Sequence, residues 1–176
     1  LLGSDVGKAS CGTLKHRGVP AGTVLLEAIH RVECLAPGYL QIGQFLDQQP
    51  LRTLLTQSGK DVTDKLSTQF FSEALQSVPS ATSATALNKL RPLIETLLPT
   101  LEQATQLEIE RRTDAALSAA VDYYGAEISR LRYLQRINPA VRDEEIAALT
   151  EESQACKTAL SHSNPALEGL RVCIAV

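Results

Sequence analysis

Between Thr100 and Ile137 the chain has no proline and a single glycine, Gly125. Its apolar residues are spaced for a helix. Leu117, Val121, Tyr124, Ile128 and Leu131 recur at intervals of four, three, four and three, which places them on one helical face. "INPAVR" then interrupts the run, because the residue before a proline is driven out of the helical region. Asp143, Glu144 and Glu145 open the next periodic segment, where negative charge suits the positive end of a helix dipole. Ile146, Leu149, Ser153, Cys156 and Leu160 continue it at three, four, three and four. Two stripes flanking one short connection predict an antiparallel helical hairpin over about 100–161, roughly six turns long. Chain reversal would set Leu131 against Ile146 or Leu149, and Leu117 near Leu160. "SHSNPA" closes the second helix.

The first third has a different period. "GTVLLEAIHRVEC" follows the breaker "RGVPAG" and is rich in strand-forming residues. Its alternation is imperfect, as in a strand covered on both faces. "APG" signals a turn, "YLQIGQFL" alternates, "PLRTLLTQ" follows, and "SGKD" reads as a tight turn. These segments predict three or four antiparallel strands within 11–62, and "LRVCIAV" predicts a return strand over 169–176. Between them, "DKLSTQFFSEALQ" reads as a short helix with Asp64 as N-cap, and "SVPSATSAT" (77–85) as a polar linker. Leu87, Leu90, Ile94, Leu97 and Leu101 resume helical spacing, punctuated by Pro92 and Pro99. The expected fold class is α+β: a small antiparallel sheet with a long helical hairpin inserted. The expected organisation is one domain over 1–176, mainly β in 1–83, with the hairpin and return strand in 84–176.

Composition narrows the function. Apolar residues make up 44% but aromatic ones only 4%, so the core must be largely aliphatic. The chain lacks methionine, which suggests a processed product or a piece of a longer protein. No apolar run is long enough to read as a membrane span. Residues 1–83 hold seven basic and seven acidic side chains, and 84–176 hold ten and thirteen. Neither half has the basic excess of an autonomous duplex-DNA binder.

Several short patterns touch on chemistry. "GSDVGKAS" (3–10) approaches a phosphate loop, but only three residues separate Gly3 from Gly7, and Lys8 precedes Ala9, which has no hydroxyl for a metal. It reads as a polar turn into the first strand. Cys11, Cys34, Cys156 and Cys173 form no metal-binding or redox spacing, and read as buried thiols in a reducing compartment, the cytoplasm. His16 stands in a segment before a turn, and His162 at a helix end. His30 and Cys34 share a strand parity, the best available pair for nucleophilic chemistry. No cofactor site is legible. Arg130, Arg132 and Arg136 line the long helix. They read either as a solvated face with pairs such as Glu127–Arg130 and Glu108–Arg112, or as a contact surface for a protein or for nucleic-acid phosphate.

The ordered string "LLGSDVGKASCGTLKHRGVPAGTVLLEAIHRVECLAPGYLQIGQFL", with "RLRYLQRINPAVRDEEIAAL" and the closing "LRVCIAV", resembles the C-terminal region of the RapA family. These are bacterial RNA polymerase-associated ATPases of SWI/SNF type with helicase-like lobes, which help recycle polymerase after transcription. The resemblance runs through the whole chain in the same order. It implies a parent that hydrolyses ATP and engages polymerase and nucleic acid. The family's nucleotide motifs belong to upstream lobes, and no position here matches them. The segment is therefore expected to be a non-catalytic accessory domain that braces the motor lobes or touches polymerase. Two other readings are an independent small enzyme built around Cys34 and His30, and a coiled-coil adaptor.

Overall fold

The computed structural model describes residues 8–15 and 17–176. Its strands are β1 (Lys8–Leu14), β2 (Val24–Glu33), β3 (Leu51–Thr56), β4 (Leu75–Ser77) and β5 (Asn164–Ala175). Its helices are α1 (Thr68–Ala74), α2 (Ser80–Ile137) and α3 (Asp143–Ser161). The α+β class holds. The chain divides into two compact units. The first comprises 1–31, 50–107 and 165–176, and the second 32–49 and 108–164.

The first unit is built on a five-stranded sheet of order β3-β2-β5-β1-β4. β2 and β3 form an antiparallel hairpin in register Leu25↔Thr56 to His30↔Leu51. The "SGKD" turn is present, with Gly59 at φ 77°, a conformation that a side chain strains. β1 pairs with β4 antiparallel but with β5 in parallel, from Lys8↔Gly169 to Leu14↔Ala175. Gly22 and Thr23 bond to Ala175 and Arg31 pairs with Glu168, so β5 runs antiparallel to β2. The sheet is therefore mixed, where an antiparallel meander was expected.

Both faces of this sheet are covered, which explains the blurred alternation of β2. One face carries Leu14, Leu25, Leu54 and Cys173 against Leu66 and Phe71 of the 63–74 segment. The other carries Leu26, Ala28, Leu55 and Val172 against Leu97 and Leu101 of α2. Glu27 is 3% exposed and lies on the first face between two arginines. Arg52 Nε donates to it at 2.6 Å, and Arg171 Nη1 approaches it at 3.1 Å. Arg52 also donates to the Leu66 carbonyl and lies 4.6 Å from the Phe71 ring centre.

Other sequence expectations also need correction. "YLQIGQFL" is not a strand but two 3-10 turns, Gly38–Leu40 and Ile42–Gln44, joined by Gln41 at φ 45°. Pro37, Gly38 and Gly43 deny it a continuous ladder. The linker expected at 77–85 is already α2 from Ser80, and Pro92 and Pro99 lie inside that helix. Each proline costs about 3 kcal/mol. Leu97 and Leu101 are buried in the sheet cluster, and Leu87, Leu90, Leu93 and Ile94 pack partly buried against it, so burial along the whole helix face offsets that cost.

In the second unit α2 and α3 pair as the expected antiparallel hairpin. Gln135 Nε2 donates to Asp143 Oδ1 near the turn, and Tyr124 Oη donates to Glu152 Oε1 two to three turns further in. This register sets Leu131 level with Ile146 and Leu117 level with Leu160. Tyr124 is buried as expected, but N-terminal to it the buried stripe of α2 lies one position earlier than expected. Ala116, Ala120 and Tyr124 are buried, whereas Val121 is 47% exposed and Leu117, Ile128 and Leu131 are half-buried. Beside this stripe stands an aromatic group: the Phe45 ring centre lies 6.0 Å from that of Tyr124 and 5.7 Å from that of Tyr123. Arg112 is not on a solvated face. Its side chain is 12% exposed, bonded to the Gln49 carbonyl and to Glu108, and 3.6 Å from Asp47.

This packing has measurable consequences. Removing Arg52 leaves the buried Glu27 carboxylate with only the partly exposed Arg171 as counter-charge, so Arg52→Met is expected to destabilise in chemical denaturation by up to about 3–5 kcal/mol, the cost of breaking a buried pair. The Glu27→Met/Arg52→Met double variant should recover much of that loss. In the hairpin, fully buried Leu160 should lose about 2–5 kcal/mol on truncation to alanine. The half-buried Leu149 should lose less, and an equal loss would contradict this seam. Finally, hydrogen bonding to Arg111 holds the Glu108 carboxyl down at about 2, against an ordinary 4.5. A depressed folded pKa means that its stabilisation is present above pH 4.5 and is lost as pH falls towards 2. Glu108→Gln should flatten the acid limb of a stability–pH profile in that window.

Candidate interaction surface

The three arginines singled out in the sequence stand at the end of α2. With 3.6 residues per turn, Arg132 and Arg136 are close neighbours around the helix, and Arg130 lies well round from both. They are not a cluster, but they share one arc. Read around the helix the order is Arg132, Arg136, Tyr133, Ile137, Arg130. Ala116, Ala120 and Tyr124 point the other way, into the hairpin seam. Tyr133 and Ile137 are 63% and 67% exposed, so the arc joins cationic heads to uncovered apolar surface.

The arginines differ in what they engage. Arg130 makes a forked contact with Glu127 at 3.0 and 2.8 Å, and that carboxylate raises its pKa. Arg132 and Arg136 border a shallow depression of about 650 Å³ shared with Gln135, Asp143, Ile146 and Thr150. Neither takes part in an ion pair among the described residues. An arc of arginine, tyrosine and isoleucine on a helix face has the composition of a protein contact. The sequence points to the arginines, with Tyr133 interleaved among them in "RLRY", but not to Ile137 as surface. The available signal was its i, i+7 relation to Arg130.

The two members of the nucleophile pair engage different partners. Cys34 is half-buried and its Sγ donates to the Ala159 carbonyl at 3.1 Å. His30 is buried on the helix-facing side of β2, with Nδ1 3.5 Å from Thr105 Oγ1, which lies 3.4 Å from Thr53 Oγ1. Burial pushes the His30 pKa down, with the Glu102 charge acting against it. Burial also raises the Cys11 and Cys156 thiols and, with Glu27 nearby, lifts Cys173 to about 12. Those three thiols stay protonated and are poor nucleophiles. His162 caps α3, as its position suggested. His16 and the stretch up to Gly7 lie outside the described residues. Lys8 belongs to β1, whereas a phosphate-loop lysine sits on a loop entering a helix. Among the described residues no group of acidic, histidine or cysteine side chains could hold a metal ion, and no helix is long and apolar enough to cross a membrane.

Comparison with known proteins agrees with the family resemblance. Residues 1–175 match the family described as RNA polymerase recycling family C-terminal. Two curated relatives carry the name RNA polymerase-associated protein RapA, from Cronobacter sakazakii (strain ATCC BAA-894) and Klebsiella pneumoniae (strain 342). Each is 32% identical over 174 residues, which cover 99% of this chain and 18% of the relative. The chain thus spans about a fifth of the length of these relatives and corresponds to their C-terminal region. With its full length matched in this way, the chain belongs to the RNA polymerase recycling family, as its C-terminal, RapA-type domain.

Proposed function

We propose that this chain is the non-catalytic accessory domain of an RNA polymerase-associated, ATP-driven recycling factor, acting in the cytoplasm. Its role is to present a contact surface to RNA polymerase. The observation that carries this reading is the exposed arc at the end of α2, which runs from Arg132 and Arg136 beside the groove to α3 round through Tyr133 and Ile137 to Arg130. Family membership supports polymerase as the partner, since the relatives are named for that association. The parent's ATPase lobes are the second protein surface that the arc could meet. Nucleic-acid phosphate would draw on the arginines but leave Tyr133 and Ile137 unused. The enzyme reading loses support because His30 and Cys34 engage different partners. The coiled-coil adaptor reading leaves the sheet without a role.

The test uses the full-length parent. Arg132→Glu/Arg136→Glu and Tyr133→Ala/Ile137→Ala should each weaken association with polymerase by about tenfold or more. Neither pair should lower the melting temperature of the domain, because these side chains are solvated. Unchanged polymerase affinity in both pairs would sink the proposal. Weakening in the arginine pair alone, with a steep salt dependence, would move the partner to nucleic acid.

A further inference from the structure

The first unit contains a cleft of about 610 Å³ between α2 and the start of β5, well within the size range of small-molecule sites. Its walls are Leu98, Pro99, Leu101, Pro165, Leu167 and Leu170. Its polar groups are unevenly distributed. His30 reaches the floor from β2, and Glu102, Gln103 and Gln106 stand along α2. The Thr53–Thr105–His30 chain occupies Nδ1 of the imidazole, which leaves Nε2 as the atom that His30 can offer to the cleft. Among the described residues no lysine or arginine lines it.

We propose that this cleft binds an uncharged nucleobase-type ring bearing two adjacent N–H donors, as guanine does. The argument is one of complementarity. A carboxylate only accepts hydrogen bonds and can accept two in parallel, so Glu102 at the rim matches a forked pair of N–H donors. The imidazole at the floor supplies a single donor or acceptor for a further ring atom. Leucine and proline walls suit the faces of a planar ring, as in sites that read a base removed from its stack. A free phosphate finds no cation here, so the charged part of a nucleotide stays outside. A guanidinium carries the same fork but is strongly charged and presents no uncharged ring face to the leucine and proline walls.

The experiment follows the His30 imidazole resonances of the isotopically labelled full chain during titration with guanosine. Guanosine 5′-monophosphate and N-acetylarginine amide serve as comparison probes. Saturable shifts with guanosine are expected, with no tightening from the added phosphate. Glu102→Gln should weaken binding about tenfold or more. Glu102 is exposed on α2, so this variant keeps the fold. The proposal fails if His30 does not respond up to the solubility limit of guanosine, or if Glu102→Gln binds as well as the parent chain. It also fails if the monophosphate binds much more tightly, or if the arginine amide is the preferred ligand.

Discussion

The fold rests on β5 lying in the middle of its sheet. β5 is the last strand in the chain, yet it separates the β2–β3 hairpin from the β1–β4 pair. Without it there would be two isolated two-stranded ribbons, and such ribbons are marginal in water. Its pairing with β1 is parallel over seven positions. Parallel neighbours cannot be joined by a tight turn and need a crossover connection. Everything between the two strands, including α2 and α3, belongs to that connection. β5 also divides the core, since Val172 faces the α2 cluster and Cys173 faces the Leu66–Phe71 cluster.

A strand buried on both faces leaves little room for charge, and Glu27 shows how charge is accommodated. Neighbouring strands supply Arg52 on one side and Arg171 on the other, so the carboxylate is compensated across the ladder. The arrangement is one acid between two bases, and it leans on the Leu66 carbonyl and the Phe71 ring to hold Arg52. Such a pair adds little net stability over an apolar replacement. It does couple β2, β3 and β5 to the 66–71 segment in one register, because any slip separates all three partners. The second unit uses the same device at Arg112, which ties α2 to Gln49 and Asp47 at the end of the 32–49 segment.

How much of this was legible depended on how far a pattern was local. The α2–α3 hairpin was readable because Asn138–Pro139 and the acidic start at Asp143 are local signals, and the return strand because its apolar run is short and terminal. The parallel pairing of β1 with β5 was not readable, since nothing in "KASCGTL" or "NPALEGLRVCIA" states a partner at the opposite end of the chain. The strand assignment for "YLQIGQFL" went wrong because two-residue alternation also arises where two 3-10 turns bury Leu40, Ile42 and Leu46. The one-position shift of the α2 stripe has a similar origin. Periodicity gives weight to the larger Leu117 and Val121, whereas the buried positions are the small Ala116 and Ala120 one residue earlier. Arg112 followed helical pairing arithmetic with Glu108, and its burial came from a segment remote in sequence, around Gln49. Of the candidate surface, the three arginines were visible in the sequence. That they share an arc with Tyr133 and Ile137 required knowing which side of α2 is spent on the seam.

That division of α2 into a spent side and an unspent side is what the proposed contact surface rests on. A helix paired in a hairpin needs only a stripe of its surface for the seam, here centred on Ala120 and Tyr124. A purely structural helix end would place charged or small residues on the remainder. Instead the last turns carry an exposed tyrosine and isoleucine between arginines, although only seven of the 176 residues are aromatic. Leaving two large apolar side chains in water forgoes burial worth roughly 1.5–3 kcal/mol each. Gln135 and Asp143 already fasten the turn, so hairpin closure does not call for Tyr133 or Ile137. On the proposed reading, that unspent burial is what a partner would cover, and the arginines on either side would orient it.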